Sequence, residues 1–250
     1  MTLARTRRTH RSRPSRYLRF AAFAYALAYG AALCGVGTAA RLGAQGAVRG
    51  QLRVIETANG APATLGDAVI YLEADGERPR MPTVAMVKAS VGMRLREFVP
   101  RVQTIGVGGA VAFPNQDPFS HNVFSNSALG AFDLGLYRTG KSRAATFPKA
   151  GVYAIYCNIH ARMVSYVVAV PTPYVARAQS SGVFTLPGVP AGTWRLHVWH
   201  ERAPEHVETI TVPVDGLSDI VVALDGRGYV PKPHTNKFGQ PYATSRADRY

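Results

Sequence analysis

A thiol, an imidazole and a thioether fall within the single run Cys157-Asn158-Ile159-His160-Ala161-Arg162-Met163. The residues before it, Gly151 to Tyr156, are aromatic and β-branched and open on a glycine, which predicts a strand. Cys157 then ends that strand, and His160 and Met163 lie on the turn that follows. A tight loop of this kind can aim the Cys157 sulfur, a His160 nitrogen and the Met163 sulfur at one point. One more nitrogen would complete a copper site of two His, one Cys and a weak axial Met. His121, in the run Phe119 to Phe124, is the upstream candidate. Each residue alone has a plainer role: a buried Cys is usually a small core hydrophobe, and a loop His is usually a surface residue. Four ligand residues at these offsets favour a metal. The thioether favours copper over zinc, which prefers more thiolates or a closed tetrahedral set.

The elements that must position these residues are read as strands. The chain has 250 residues, 47% of them hydrophobic, with many Gly and Pro and few long helical patterns. That predicts an all-β protein of one or two domains. Ala47 to Val54 alternates and reads as a strand, Asn59-Gly60 as a turn, and Ala68 to Glu73 as a second strand. Residues 74–82 are charged and proline-broken, a linker. Val84 to Arg94, Phe98 to Val107, Val111 to Phe113, Ala144 to Pro148 and Tyr166 to Val170 carry strand patterns. Asn115 to Pro118 reads as loop, and so does Gly130 to Arg143. The latter carries Arg138, Lys141 and Arg143, either as a solvated loop or as a basic edge for an acidic partner. Further strands are read at Gly182 to Leu186, Val189 to Leu196, Thr209 to Val212 and Ile220 to Leu224.

The region 82–172 resembles a cupredoxin, a type 1 blue-copper protein. The Cys-x2-His-x2-Met spacing is similar to the short ligand loop of amicyanin-type members. Phe113-Pro114-Asn115 through His121-Asn122-Val123, then Phe132-Asp133-Leu134-Gly135 and Tyr156-Cys157-Asn158-Ile159-His160, resembles the plastocyanin-like methylamine-utilisation cupredoxins. The resemblance implies a Greek-key β-sandwich holding one type 1 copper on His121, Cys157, His160 and Met163. Ala161 departs from it, standing where many relatives carry a proline; that touches the tuning of the site. The resemblance also implies an outer-sphere electron carrier with His160 as the solvent-near port. Ala161, Met163 and Phe119 would form its apolar docking surface, and Asn122 would brace the Cys157 loop. The flanks 47–73 and 180–225 resemble the two halves of a carboxypeptidase-regulatory-like (transthyretin-like, carbohydrate-binding-like) β-sandwich. The expected layout is a cupredoxin inserted in, or fused to, that small sandwich, with a simple tandem or one merged sandwich as the alternatives.

Charge narrows the partners. Of the formal +14, eight charges are the Arg residues of segment 1–44, which has no acidic residue, leaving +6 for residues 45–250. Nothing in that remainder interleaves basic and aromatic residues as single-strand binders do, so nucleic acid is not an expected partner. The Arg-rich start followed by the uncharged run Phe20 to Ala40 has the layout of a secretory signal. An uncleaved anchor is the competing reading, and only then is a membrane a partner. Cleavage places the protein in the periplasm with Cys157 as its one cysteine, since Cys34 lies inside the signal. Such a chain has no internal disulfide, and copper would protect the thiol.

His197 and His200, in Trp194 to Glu201, invite a second metal site. Period-two alternation places them on opposite faces of a strand, which argues against it. The tail 226–250 has no periodicity and is expected to be irregular, draped on the surface. No triad, carboxylate pair or phosphate loop stands out, so no enzyme is expected. The leading function is an electron carrier between redox partner proteins. One alternative is copper trafficking or storage, although Met81, Met86 and Met93 are not clustered near the ligands. The other is a glycan- or protein-binding sandwich with a structural copper.

Overall fold

The computed structural model describes residues 45–56, 62–76, 89–231 and 233–242. The segment 1–44, the Asn59-Gly60 turn, positions 77–82 of the linker, residues 84–88 with Met86, and positions 243–250 of the tail lie outside the described residues. The protein is all-β. The described residues contain no helix long and apolar enough to cross a membrane.

Strands β1 (Gln45–Ile55) and β2 (Val69–Ala74) come first. A run of short strands follows: β3 (Ala89–Ser90), β4 (Gly92–Arg94), β5 (Glu97–Val99), β6 (Val102–Gly106), β7 (Ala110–Pro114), β8 (His121–Ser125), β9 (Phe132–Tyr137) and β10 (Ser142–Thr146). Two longer strands, β11 (Gly151–Cys157) and β12 (Val164–Val170), complete that group. The chain ends in β13 (Val175–Arg177), β14 (Val183–Pro190), β15 (Gly192–His200), β16 (Ala203–Val212) and β17 (Leu217–Asp225).

The five-stranded sheet β6-β12-β11-β8-β9 carries the ligand-bearing residues, and a three-stranded sheet, β10-β7-β3, packs with it. Between them lies one core that includes Val111, Phe113, Val123, Phe147, Tyr153, Ile155 and Val167. Two other sheets, β14-β1-β17 and β13-β2-β15-β16, enclose a second core around Leu52, Leu72, Phe184, Leu186, Trp194 and Leu196. β1 is the central strand of its sheet, antiparallel to β14 and parallel to β17. Segments 45–74 and 175–225 therefore share hydrogen-bonded sheets. β13 pairs with the first half of β2, with Val175 opposite Tyr71 and the Leu72 N–H donating to the Tyr174 carbonyl at 3.0 Å, so the chain leaves and returns to this sandwich at neighbouring strands.

β12 explains how the two sandwiches meet. A strand shows alternate residues to opposite faces. Val167 and Ala169 enter the first core. Val168 and Val170, on the other face, pack with Val69, Val102 and Trp199. That double burial is why Val164–Val170 is nearly continuous in apolar residues. The seam is closed by Arg101, whose guanidinium donates to both oxygens of Glu201 at 2.9 and 2.6 Å. Tyr166 also meets Trp199 edge-on, 5.3 Å between ring centroids.

Two local readings change. Gly130 to Arg143 is not one loop: it carries β9 and the start of β10. Phe132 and Leu134 pack against the first core, and Gly135 supplies a left-handed turn at φ 67°. Arg143 bonds the Leu134 carbonyl and lies over the Tyr137 ring, so it braces this edge. Phe98 to Val107 is two strands split at Pro100, which has no N–H to give a ladder. The short strand β13 has no strong pattern in the sequence.

Candidate metal centre

Register brings the distant histidine to the thiol. β11 and β8 are antiparallel neighbours, with Cys157 opposite Val123. Directly opposed residues share a face, and so do residues two apart on one strand. His121 therefore points the same way as Cys157. One position on, the Asn158 N–H donates to the Asn122 carbonyl at 2.9 Å, carrying the pairing past the strand end. The loop then closes on itself. Met163 N–H donates to the His160 carbonyl at 3.1 Å, and Cys157 N–H to the Met163 carbonyl at 3.3 Å.

The ligand atoms of His121, Cys157 and His160 all lie within 4.8 Å of one another. Cys157 Sγ is 3.6 Å from Nδ1 of His121 and 3.6 Å from Nδ1 of His160. With metal–sulfur and metal–nitrogen bonds of about 2.3 and 2.0 Å, that spacing corresponds to an S–metal–N angle of about 110–115°. The three donors thus fit around one ion. Met163 lies on the same loop and is buried in the same core as Cys157.

The buried thiol would exchange its proton for a cation on metal binding. Burial pushes the Cys157 thiol up, against the opposing pull of the backbone N–H groups of Asn122, Ile159 and His160. Those same donors would stabilise a thiolate once a positive ion neutralised the site.

Asp117, read from the sequence as part of a loop, is a functional residue that the pattern missed. Its Oδ2 lies 2.8 Å from Nε2 of His121, with both side chains buried. Its two oxygens also accept the Leu95 and Arg96 N–H groups at 2.6 and 2.9 Å. Burial pushes the carboxyl up, but the Arg96 N–H, His121 and the Leu95 N–H outweigh it and lower its pKa. Asp117 therefore fixes the His121 ring with Nδ1 turned to the thiol, as carboxylates behind metal-binding imidazoles do. The signal in the sequence was a carboxylate four residues before the histidine, which loop composition hid.

Asn122 braces the loop through its carbonyl, while its side chain donates to Asp133 Oδ1 at 2.6 Å. Phe119 lies beside both imidazoles, 5.2 Å from the ring of His121 and 5.6 Å from that of His160. His160 and Ala161 are half-buried, whereas Ile159 is exposed.

The second histidine pair does other work. His197 Nδ1 is 3.0 Å from Glu205 Oε1, and its ring stacks on Tyr71 with centroids 4.5 Å apart. His200 Nδ1 accepts the Arg202 N–H at 3.2 Å.

No family model and no curated protein matches the chain. Several solved structures resemble part of it. A purple cupredoxin from Nitrosopumilus maritimus is 24% identical over 33% of this chain and 100% of that one, with a TM-score of 0.31. A reduced Cu(I) form of an amicyanin mutant is 23% identical over 35% of this chain and 87% of that one, TM-score 0.32. A copper-containing nitrite reductase from Thermus scotoductus is 27% identical over 39% of this chain and 25% of that one, TM-score 0.32. The functional reading therefore rests on the side chains: a buried thiol and two imidazoles, one of them held by a buried carboxylate, placed to share one ion.

Proposed function

We propose that the chain is an exported type 1 copper protein that carries single electrons between redox partner proteins, and that it is not an enzyme. One observation carries this reading: the 3.6 Å spacing of Cys157 Sγ from both Nδ1 atoms inside a β framework. Thiolate with imidazole and a nearby thioether is a donor set suited to copper. Copper bound there would supply a one-electron couple. His121, Cys157, His160 and Met163 are the proposed ligands. Asp117 holds His121, and the bonds of the Cys157–Met163 loop hold the rest before any ion arrives, so little needs to rearrange on electron transfer. His160, half-buried beside Phe119 and Ala161, is the proposed port to a partner.

The trafficking alternative loses one of its methionines: Met93 is fully buried in the core. The N-terminal signal places the protein in the periplasm in this reading. The metal-bearing sandwich, residues 82–172, is a module inserted between the halves 47–73 and 180–225 of the second. The pairing of β2 with β13 supports that layout, since insertion is tolerated where the chain leaves and returns close by. Voltammetry of the copper-loaded chain tests the function: a reversible one-electron wave supports it. A colourless copper complex with no reversible wave would favour trafficking instead.

A further inference from the structure

We infer that the C-terminal segment 233–242 is part of the housing of the metal loop, with Tyr242 and Lys237 as positioning residues for Cys157 and Asn158. This rests on the metal-site reading above. The sequence predicts an irregular tail draped on the surface. The described part, 233–242, forms no strand, and its polar contacts and one ring stack converge on the Cys157 loop.

The Tyr242 hydroxyl donates to the carbonyl of Cys157 at 2.7 Å. The same hydroxyl lies 3.2 Å from Nδ1 of His234. The His234 ring stacks on Tyr156, the residue before the thiol, with centroids 4.1 Å apart and planes 22° apart. Lys237 reaches the loop twice. Its backbone N–H donates to Asn158 Oδ1 at 2.9 Å. Its ammonium pairs with Asp133 Oδ2 at 2.6 Å, and the other oxygen of that carboxylate holds the Asn122 side chain. Asn122 in turn accepts the Asn158 N–H.

The segment thus ties together both strands that deliver ligands: β8 through Asp133 and Asn122, and the end of β11 through Cys157 and Asn158. It has its own shape, because Asn236 Oδ1 caps a turn by accepting the N–H groups of Phe238 and Gln240 at 2.9 and 3.0 Å. Phe238 is 71% exposed, so apolar burial is not what seats this turn on the loop. The hydrogen bonds to Cys157 and Asn158 are. A loop pinned from outside opens less often, and it must open for an ion to leave.

The test uses copper as the probe. Wild type, Tyr242→Phe and a chain ending at residue 232 are loaded with Cu(II) and challenged with excess chelator. Amide hydrogen exchange is followed in the metal-free forms. The shortened chain should lose copper about tenfold faster, the low end of what supporting partners of metal ligands contribute. Tyr242→Phe should shift in the same direction by a smaller factor. In the metal-free forms the Asn158 amide should exchange faster while amides of β15 and β16 stay at wild-type rates. Wild-type copper loss in both variants, together with unchanged exchange at Asn158, overturns the inference, even if the melting temperature falls. A wild-type chain that takes up no copper overturns the metal-site reading instead, and the exchange data then still decide whether the segment pins the loop.

Discussion

Nε2 of His121 and Oδ2 of Asp117 lie 2.8 Å apart, with both side chains buried. The contact leaves the other ring nitrogen, Nδ1, as the one turned toward the Cys157 sulfur. Replacing Asp117 by Asn keeps the shape but removes the charge that orients the imidazole. The expected outcome is copper affinity lower by about tenfold or more in Asp117→Asn, measured by competition with a chelator. Unchanged affinity would mean that β8 alone orients the ring.

The seam between the two sandwiches should depend on Arg101. Glu201 is almost buried and receives both Arg101 donors. Arg101→Ala would leave that carboxylate without its main partner. A loss of about 1–3 kcal/mol is expected in chemical unfolding, the usual cost of stranding a buried polar group. No loss would show that the apolar contacts of Val168, Val170 and Trp199 hold the seam alone.

Gly182 tests how the first and last parts of the chain close on each other. Its φ is 86°, and a Cβ there would lie 2.3 Å from the Leu52 carbonyl oxygen. Gly182 also accepts the Leu52 N–H through its own carbonyl at 2.8 Å. Gly182→Ala combines a left-handed backbone with a clash against β1, so a loss of about 3 kcal/mol is expected. Thermal unfolding reads it directly.

The pH dependence of the second sandwich should carry the signature of Glu205. His197 beside it holds its carboxyl below the ordinary value of 4.5, aided by the Tyr71 hydroxyl and opposed by burial. A carboxyl that ionises more readily folded than unfolded adds stability that is complete above its unfolded value. That stability drains as pH falls through the folded value. The melting-temperature gap between wild type and Glu205→Gln should therefore be widest above pH 4.5 and close at more acid pH. A gap that is constant with pH would show that Glu205 acts by packing.

The sequence revealed the centre of the site better than its supports. Cys157, His160 and Met163 lie on one short loop, and a strand pattern runs straight into it, so local spacing was enough. His121 needed register between two strands, which the resemblance to cupredoxins supplied. Asp117 was hidden because its partners, Leu95, Arg96 and His121, come together only in the folded chain. Tyr242 and Lys237 were hidden for the same reason: an aperiodic tail gives no sign of the loop it will meet. The solvated-loop reading of Gly130 to Arg143 fails because glycine and arginine here serve strands. In the fold Gly135 bends an edge strand, and Arg143 covers the ring of Tyr137.

The visible absorption spectrum of the chain reconstituted with Cu(II) tests the central claim most directly. A thiolate ligand on copper gives an intense charge-transfer band in the orange-red region, and the account predicts that band in wild type and its loss in Cys157→Ser. A band that survives in Cys157→Ser, or a wild-type chain that binds copper without one, would contradict a copper centre built on Cys157.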